Sequence, residues 1–124
     1  MSDRVVVCLG TRKGLFVAEG SRARKRFELR GPFHPGVAVY AALVDTRGTP
    51  RIYASSCNVW FGMKVLRSTD LGRSFKATKS APAFAKDDGR SLANIWSLET
   101  GPAKNEIWAG VEPASLFRSR DGGD

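Results

Sequence analysis

An all-β fold is predicted by three features of the sequence. No segment of ten or more residues keeps a convincing 3.6-residue hydrophobic period, which argues against helices. Short β-rich runs recur instead, bounded by Gly, Pro, Asp and Asn. The order of these runs repeats about every 50 residues, the size of one supersecondary unit in a repeat protein.

Ten strands are expected, near 4–9, 14–18, 26–30, 38–44, 51–55, 64–68, 74–78, 94–99, 106–110 and 115–119. The first run, "VVVCL", ends at the loop "TRKG", and "LFV" follows it. The basic stretch "SRARKRFELR" turns the chain into the third strand, and "GPFHPGV" ends it. "DTRGTP" joins the fourth and fifth strands, and "TGPAKN" joins the eighth and ninth. "SCNVWFGMK", "RSTDLGRSF", "SAPAFAKDDGRSLAN" and "VEPAS" supply the remaining connections.

Internal repeats choose among sandwich, barrel and propeller. "VYAALVDTRGTPRIYAS" (39–55) and "IWSLETGPAKNEIWAG" (95–110) share the order strand, turn, strand. Leu43 matches Leu98 and Ile52 matches Ile107, both 55 residues on. "VLRSTDLG" (65–72) recurs as "LFRSRDGG" (116–123), 51 residues on, and "VCLGTRKGLFVAEG" opens the chain as a fainter copy. Four short strands per repeat make a propeller blade. The expected architecture is a partial β-propeller of about two and a half blades, an N-terminal part of one domain over residues 1–124. Blade 1 runs over about 4–30, blade 2 over about 38–79, and blade 3 starts near 94. A complete ring is expected to be a monomer.

"RSTDLGRSF" (67–75) is the hairpin between the third and fourth strands of the second blade. Its spacing has a physical reason. The Asp70 carboxylate can accept backbone N–H groups of its own turn, Gly72 supplies a positive φ, and the flanking Ser68 and Ser74 satisfy further turn groups. Phe75 can pack inward and fix the hairpin. Ser68-x-Asp70-x-Gly72-x-Ser74-Phe75 resembles the Asp-box, the bacterial neuraminidase repeat S-x-D-x-G-x-[ST]-[WF]. Ser119, Asp121 and Gly123 repeat it in the same phase.

The connections at the opposite end are longer and chemically richer. They hold Arg12, Lys13, the single histidine His34, Asn58, Trp60, Phe61, Asp87, Asp88, Arg90, Asn94 and Glu112. Polar groups and aromatics converging on one rim suit a sugar or another polar ligand. Each also has a plain structural reading: His34 as a packed loop residue between Phe33 and Pro35, Asp87-Asp88-Gly89 as a loop turn, and Trp60-Phe61 as packing across neighbouring blades. Tyr40 and Trp96 begin equivalent innermost strands and are expected to line a central channel, with Glu112 near it.

The formal charge is +8, and the excess lies in residues 1–62, with ten Lys/Arg against four Asp/Glu. Much of it sits in "SRARKRFELR", which reads as a solvated hairpin turn because no exposed aromatics or nucleic-acid-binding motif accompany it. Neither a nucleic-acid nor a membrane partner is expected, since no apolar run approaches the ~20 residues of a membrane helix. With no signal-peptide pattern and Cys8 and Cys57 far apart, a cytoplasmic protein with free thiols is expected. One His and two distant Cys build no zinc site, and no phosphate loop or serine nucleophile elbow occurs, so no metal or cofactor is expected.

"GTRKGLF", "RIYASSCNVWFG", "VLRSTDLGRSF", "IWSLETG" and "IWAGVEPASLFRSRDGGD" together resemble the start of bacterial Asp-box propeller proteins of the sialidase-like, glycosyl hydrolase-like kind. The resemblance implies a six- or seven-bladed propeller. Sialidases among such proteins use an arginine triad, a Tyr–Glu nucleophile pair and an Asp acid/base. Their Phe-Arg-Ile-Pro motif does not occur here, so the resemblance carries over the Asp-box residues and no catalytic residue. Two functions follow: a protein acting on a glycan, or a non-catalytic propeller that binds a protein partner.

Overall fold

The computed structural model describes residues 4–58, 60 and 62–124, and Phe61 lies outside the described residues. Among the described residues ten strands form in chain order: β1 (Arg4–Thr11), β2 (Gly14–Ser21), β3 (Phe27–Phe33), β4 (Ala42–Asp45), β5 (Arg51–Asn58), β6 (Gly62–Ser68), β7 (Lys76–Ala77), β8 (Asn94–Thr100), β9 (Ile107–Glu112) and β10 (Ser115–Ser119). Among the described residues there is no helix, and so none long and apolar enough to cross a membrane.

Every strand pairs antiparallel with its chain neighbour, giving three separate sheets: β1-β2-β3, β4-β5-β6-β7 and β8-β9-β10. Registers are continuous through the long hairpins, from Arg4 opposite Ser21 to Thr11 opposite Gly14 in the first, and from Ile52 opposite Ser68 to Asn58 opposite Gly62 in the second. The turns over 46–50 and 101–106 fall where the sequence places them.

Two strands are shorter than the sequence implies. The run 38–44 becomes a regular strand only from Ala42, because Val39 bonds outside its own sheet. The Val39 N–H donates to the Thr11 carbonyl of the first sheet (2.8 Å), and Ala38 bridges Cys57. The run 74–78 keeps only Lys76 and Ala77 on the ladder. Ser74 is held by Asp70, and Phe75 turns in against Phe33, ring centroids 4.9 Å apart.

The core lies between successive sheets. Leu15 and Val17 of β2 meet Val39 and Ala54 of the second sheet. Tyr53, Cys57 and Val65 of the second sheet meet Ile95, Leu98, Ile107, Ala109 and Val111 of the third. Leu15, Ile52 and Ile95 are fully buried, each contributing ~1.5–3 kcal/mol by leaving water. The sheets stack in chain order, with β1 against β4, and β4 and β5 against β8.

Arginines lock this stacking at the end where the 69–73 turn lies. Leu15, Val17 and Glu19 alternate along β2 and all point inward, so Glu19 is a carboxylate on a buried face. Arg30 of β3 donates to it (3.1 Å) and extends its other nitrogens to the Leu71 and Gly72 carbonyls of the second sheet's turn (2.8 and 3.2 Å). Arg4 donates to Glu19 from the other side (3.0 Å). Between the second and third sheets, buried Asp45 orients Arg47. Arg47 in turn caps the Gly101, Ala103 and Glu106 carbonyls.

The hydrogen bond from Arg4 holds the Glu19 carboxyl below its usual range, with Arg30 adding to the effect against the opposing cost of burial. A depressed folded pKa stabilises the fold above the unfolded value of ~4.3. That stabilisation is lost as pH falls through the folded value. Glu19→Gln is therefore expected to flatten the decline in urea midpoint between about pH 5 and 2. Parallel declines in both proteins would assign the acid sensitivity elsewhere. Arg30→Ala is expected to cost about 2 kcal/mol at neutral pH, since it removes charged hydrogen bonds while Arg4 still pairs with Glu19.

Candidate functional site

The two ends of the sheets differ in chemistry. At one end the Ser68–Phe75 turn closes on itself. The Ser68 hydroxyl donates to Asp70 Oδ1 (2.7 Å) and accepts the Gly72 N–H (2.8 Å). Asp70 Oδ1 accepts the N–H groups of Arg73 and Ser74 (3.1 and 2.9 Å), and Oδ2 accepts the Ser74 hydroxyl. These bonds, led by the Ser74 hydroxyl and then that of Ser68, hold the Asp70 carboxyl far below the usual carboxylate range. It is an anion at any ordinary pH, suited to accepting hydrogen bonds and unsuited to giving up a proton.

Gly72 is glycine for two reasons: its φ is +82°, and a Cβ there would lie 2.9 Å from Val17 Cγ1 of the first sheet. The 119–123 turn is built alike. The Ser119 hydroxyl donates to Asp121 Oδ1 (2.8 Å) and accepts the Gly123 N–H (2.9 Å). Gly123 has φ +97° and abuts Thr78 of the second sheet. The Leu71 carbonyl accepts Arg30, and the matching Gly122 carbonyl accepts Arg67 (2.7 Å) and the Tyr53 hydroxyl (3.1 Å).

The opposite end carries the loops. Arg12 is exposed in the β1–β2 turn, which Thr11 closes by donating to the Gly14 carbonyl (2.7 Å). His34 follows β3 in a left-handed conformation, φ 51°. It shares a hollow of about 200 Å³ with Ser56, Asn58, Gly62 and Lys64. Asn58 Oδ1 accepts the Trp60 N–H (2.8 Å). Trp60 itself is 87% exposed, which corrects its expected packing across neighbouring blades.

Asp87, Asp88 and Arg90 belong to a loop folded down on the third sheet. Phe84 packs edge-on against Phe117 (5.2 Å), and the Arg90 guanidinium lies over Phe84 (4.3 Å). Arg90 donates to Asp88 and keeps its carboxyl low, while the Asp88 N–H closes a turn on Ala85. Glu112 ends β9 opposite Asn94, and its carbonyl accepts the Ala93 N–H. Among the described residues no cluster of three or more His, Cys, Asp or Glu could hold a metal ion.

Tyr40 and Trp96, separate in sequence, meet with ring centroids 4.8 Å apart, each about half exposed. A register shift between Ile95 and Ser97 leaves Trp96 as the unpaired residue of β8; such a bulge re-aims a side chain. Tyr40 lies just ahead of β4 rather than in it. The structure thus brings together His34 with Asn58, Tyr40 with Trp96, and Asp88 with Arg90.

Sequence reasoning overlooked Lys64 and Ser56 beside His34, and the arginines that grip the turns. Arg30 hides in the basic run. Glu19 was the available signal, since a carboxylate in phase with Leu15 and Val17 needs a buried cation. No protein-family model matches this chain, and no curated protein matches it.

The two ends should respond differently to mutation. Asp70→Ala is expected to cost about 1 kcal/mol, because the N–H groups it strands are near solvent. Trp96→Ala should leave the thermal midpoint within a degree or two. A larger loss for Trp96→Ala than for Asp70→Ala would make the aromatic pair a packing element.

Proposed function

We propose that the chain forms consecutive blades of an Asp-box β-propeller of the sialidase-like, glycosyl hydrolase-like kind, and that its loop end binds a glycan. The observation that carries the propeller reading is the repeated turn. Serine, aspartate and glycine make the same hydrogen bonds at 68–72 in the second sheet and 119–123 in the third, and each turn is gripped from the sheet before it. Three successive antiparallel sheets packed in chain order support it further.

The glycan reading rests on the loop end. A half-exposed aromatic pair offers apolar faces to a sugar ring, and the hollow at His34 offers the Lys64 cation, an amide and a hydroxyl to its polar groups. Binding is a better match than hydrolysis for these residues. The loop-end carboxylate Asp88 is held as an anion by its ion pair with Arg90. A second reading, a scaffold for a protein partner, is favoured by Trp60, because exposed tryptophans anchor protein interfaces.

The test is calorimetric titration of the chain with sialyllactose, lactose and N-acetylglucosamine. Saturable binding of at least one sugar is expected, weakened about tenfold or more in Tyr40→Ala and Trp96→Ala, with Trp60→Ala unaffected. No binding of any sugar, or binding indifferent to both aromatics, would overturn the glycan reading.

A further inference from the structure

The hollow of about 200 Å³ is walled by His34, which follows the first sheet, and by Ser56, Asn58, Gly62 and Lys64 of the second. Side chains alternate along a strand, so Ser56 and Asn58 share the face of Ala54, which packs with Leu15 and Val17 of the first sheet. Lys64 stands opposite Ser56 in the ladder, and Gly62 stands opposite Asn58. The hollow thus belongs to the seam between the first two sheets, and residues of those two sheets and their loops form its walls.

Its walls are held in place. Phe33 packs on Phe75 (4.9 Å), and the His34 carbonyl accepts the Val37 N–H (3.2 Å). A Cβ at Gly62 would meet nothing within 4 Å, so the space there is open. The two serines of β5 differ in a telling way. Ser55 and Ser56 are both buried, at 0% and 2% exposure. The Ser55 hydroxyl accepts the Ala41 N–H (3.1 Å), whereas among the described residues the Ser56 hydroxyl bonds nothing. Every side-chain nitrogen or oxygen sealed from solvent does have a partner among the described residues. The Ser56 hydroxyl therefore keeps its access through the hollow it lines, and whatever fills the hollow supplies its partner. Lys64 likewise has no carboxylate paired with it among the described residues.

We propose that the hollow takes the tetrahedral oxyanion of a sulfate or phosphate ester, carried by the bound sugar, a choice of ligand that rests on the glycan reading above. The Lys64 ammonium supplies the charge, and the Ser56 hydroxyl and an imidazole N–H of His34 donate to separate oxygens. Either protonation state of His34 has an N–H to give. Single donors from different directions suit a group with three terminal oxygens. A planar carboxylate is matched instead by the fork of an arginine, and no arginine lines the hollow. Net charge plays no part: the site is these side chains.

The probes are galactose 6-sulfate and galactose 6-phosphate, titrated calorimetrically against the whole chain beside galactose, glucuronate and inorganic sulfate. At least one ester is expected to bind about tenfold or more tighter than galactose or glucuronate, and which ester does so identifies the group. Lys64→Met should remove that margin, and Ser56→Ala should reduce it several-fold. Ser56→Ala should also leave the thermal midpoint within about a degree or two, since no hydrogen bond inside the chain is lost. A large fall in midpoint would make Ser56 a structural residue and overturn the site. Equal affinity for galactose and both esters, or a margin indifferent to Lys64→Met, would overturn the site and leave the glycan reading standing. Glucuronate bound as tightly as the esters would overturn the tetrahedral group. Loss of all sugar binding, with inorganic sulfate still held in a Lys64-dependent way, would sink the glycan reading and support the oxyanion site. Silence from every probe would overturn both.

Discussion

The grip of Arg30 on the turn of the next sheet is the constraint on which the rest of the arrangement depends. Apolar burial between sheets is larger in energy but poor in direction, so it fixes that the sheets meet rather than how. Arg30 supplies the direction. Glu19 aims its guanidinium, and the guanidinium takes two successive carbonyls, those of Leu71 and Gly72, from a different sheet. Asp45 and Arg47 do the same one sheet further on. A planar, multiply donating group suits this task in a way a lysine does not. Part of the +8 charge of the chain therefore serves internal carbonyls, which weakens any argument from charge to an anionic partner.

The serine–aspartate–glycine turns are the other half of that contact. A turn can present its carbonyls outward only if its own N–H groups are satisfied within. Ser68 and Asp70 do this for the first turn, and Ser119 does it for Gly123 in the second. The glycine then lets the turn approach the neighbouring sheet closely, against Val17 in one case and Thr78 in the other. The recurring residues answer to docking between sheets as much as to the hairpin itself.

Much of this was legible because it is local. Strand runs, the turns over 46–50 and 101–106, and the 69–73 hairpin follow from residues adjacent in sequence. What was not legible depends on partners distant in sequence. Val39 leaves its own ladder for Thr11 of another sheet, and Phe75 leaves its strand for Phe33. Trp60 carries no sequence mark distinguishing an exposed ring from a packed one. For the candidate site, the loop residues were identifiable as a group, but their sorting was not. That Asp88 is bound to Arg90, while Tyr40 finds Trp96, follows from how the 78–93 loop and the β8 bulge fold.

The crossing at Val39 has a consequence for how disturbance travels through the molecule. Each sheet is made of strands consecutive in the chain, so each closes over local connections. Between the first two sheets the chain passes once, and there the Val39 N–H bonds Thr11 while Ala38 bridges Cys57. The approach is so close that a Cβ at Gly10 would collide with the Val39 carbonyl. Side chains at this crossing cannot slide to absorb a change, because backbone meets backbone. Local opening of the first sheet therefore breaks a main-chain bond to the second, which couples the local stabilities of the two.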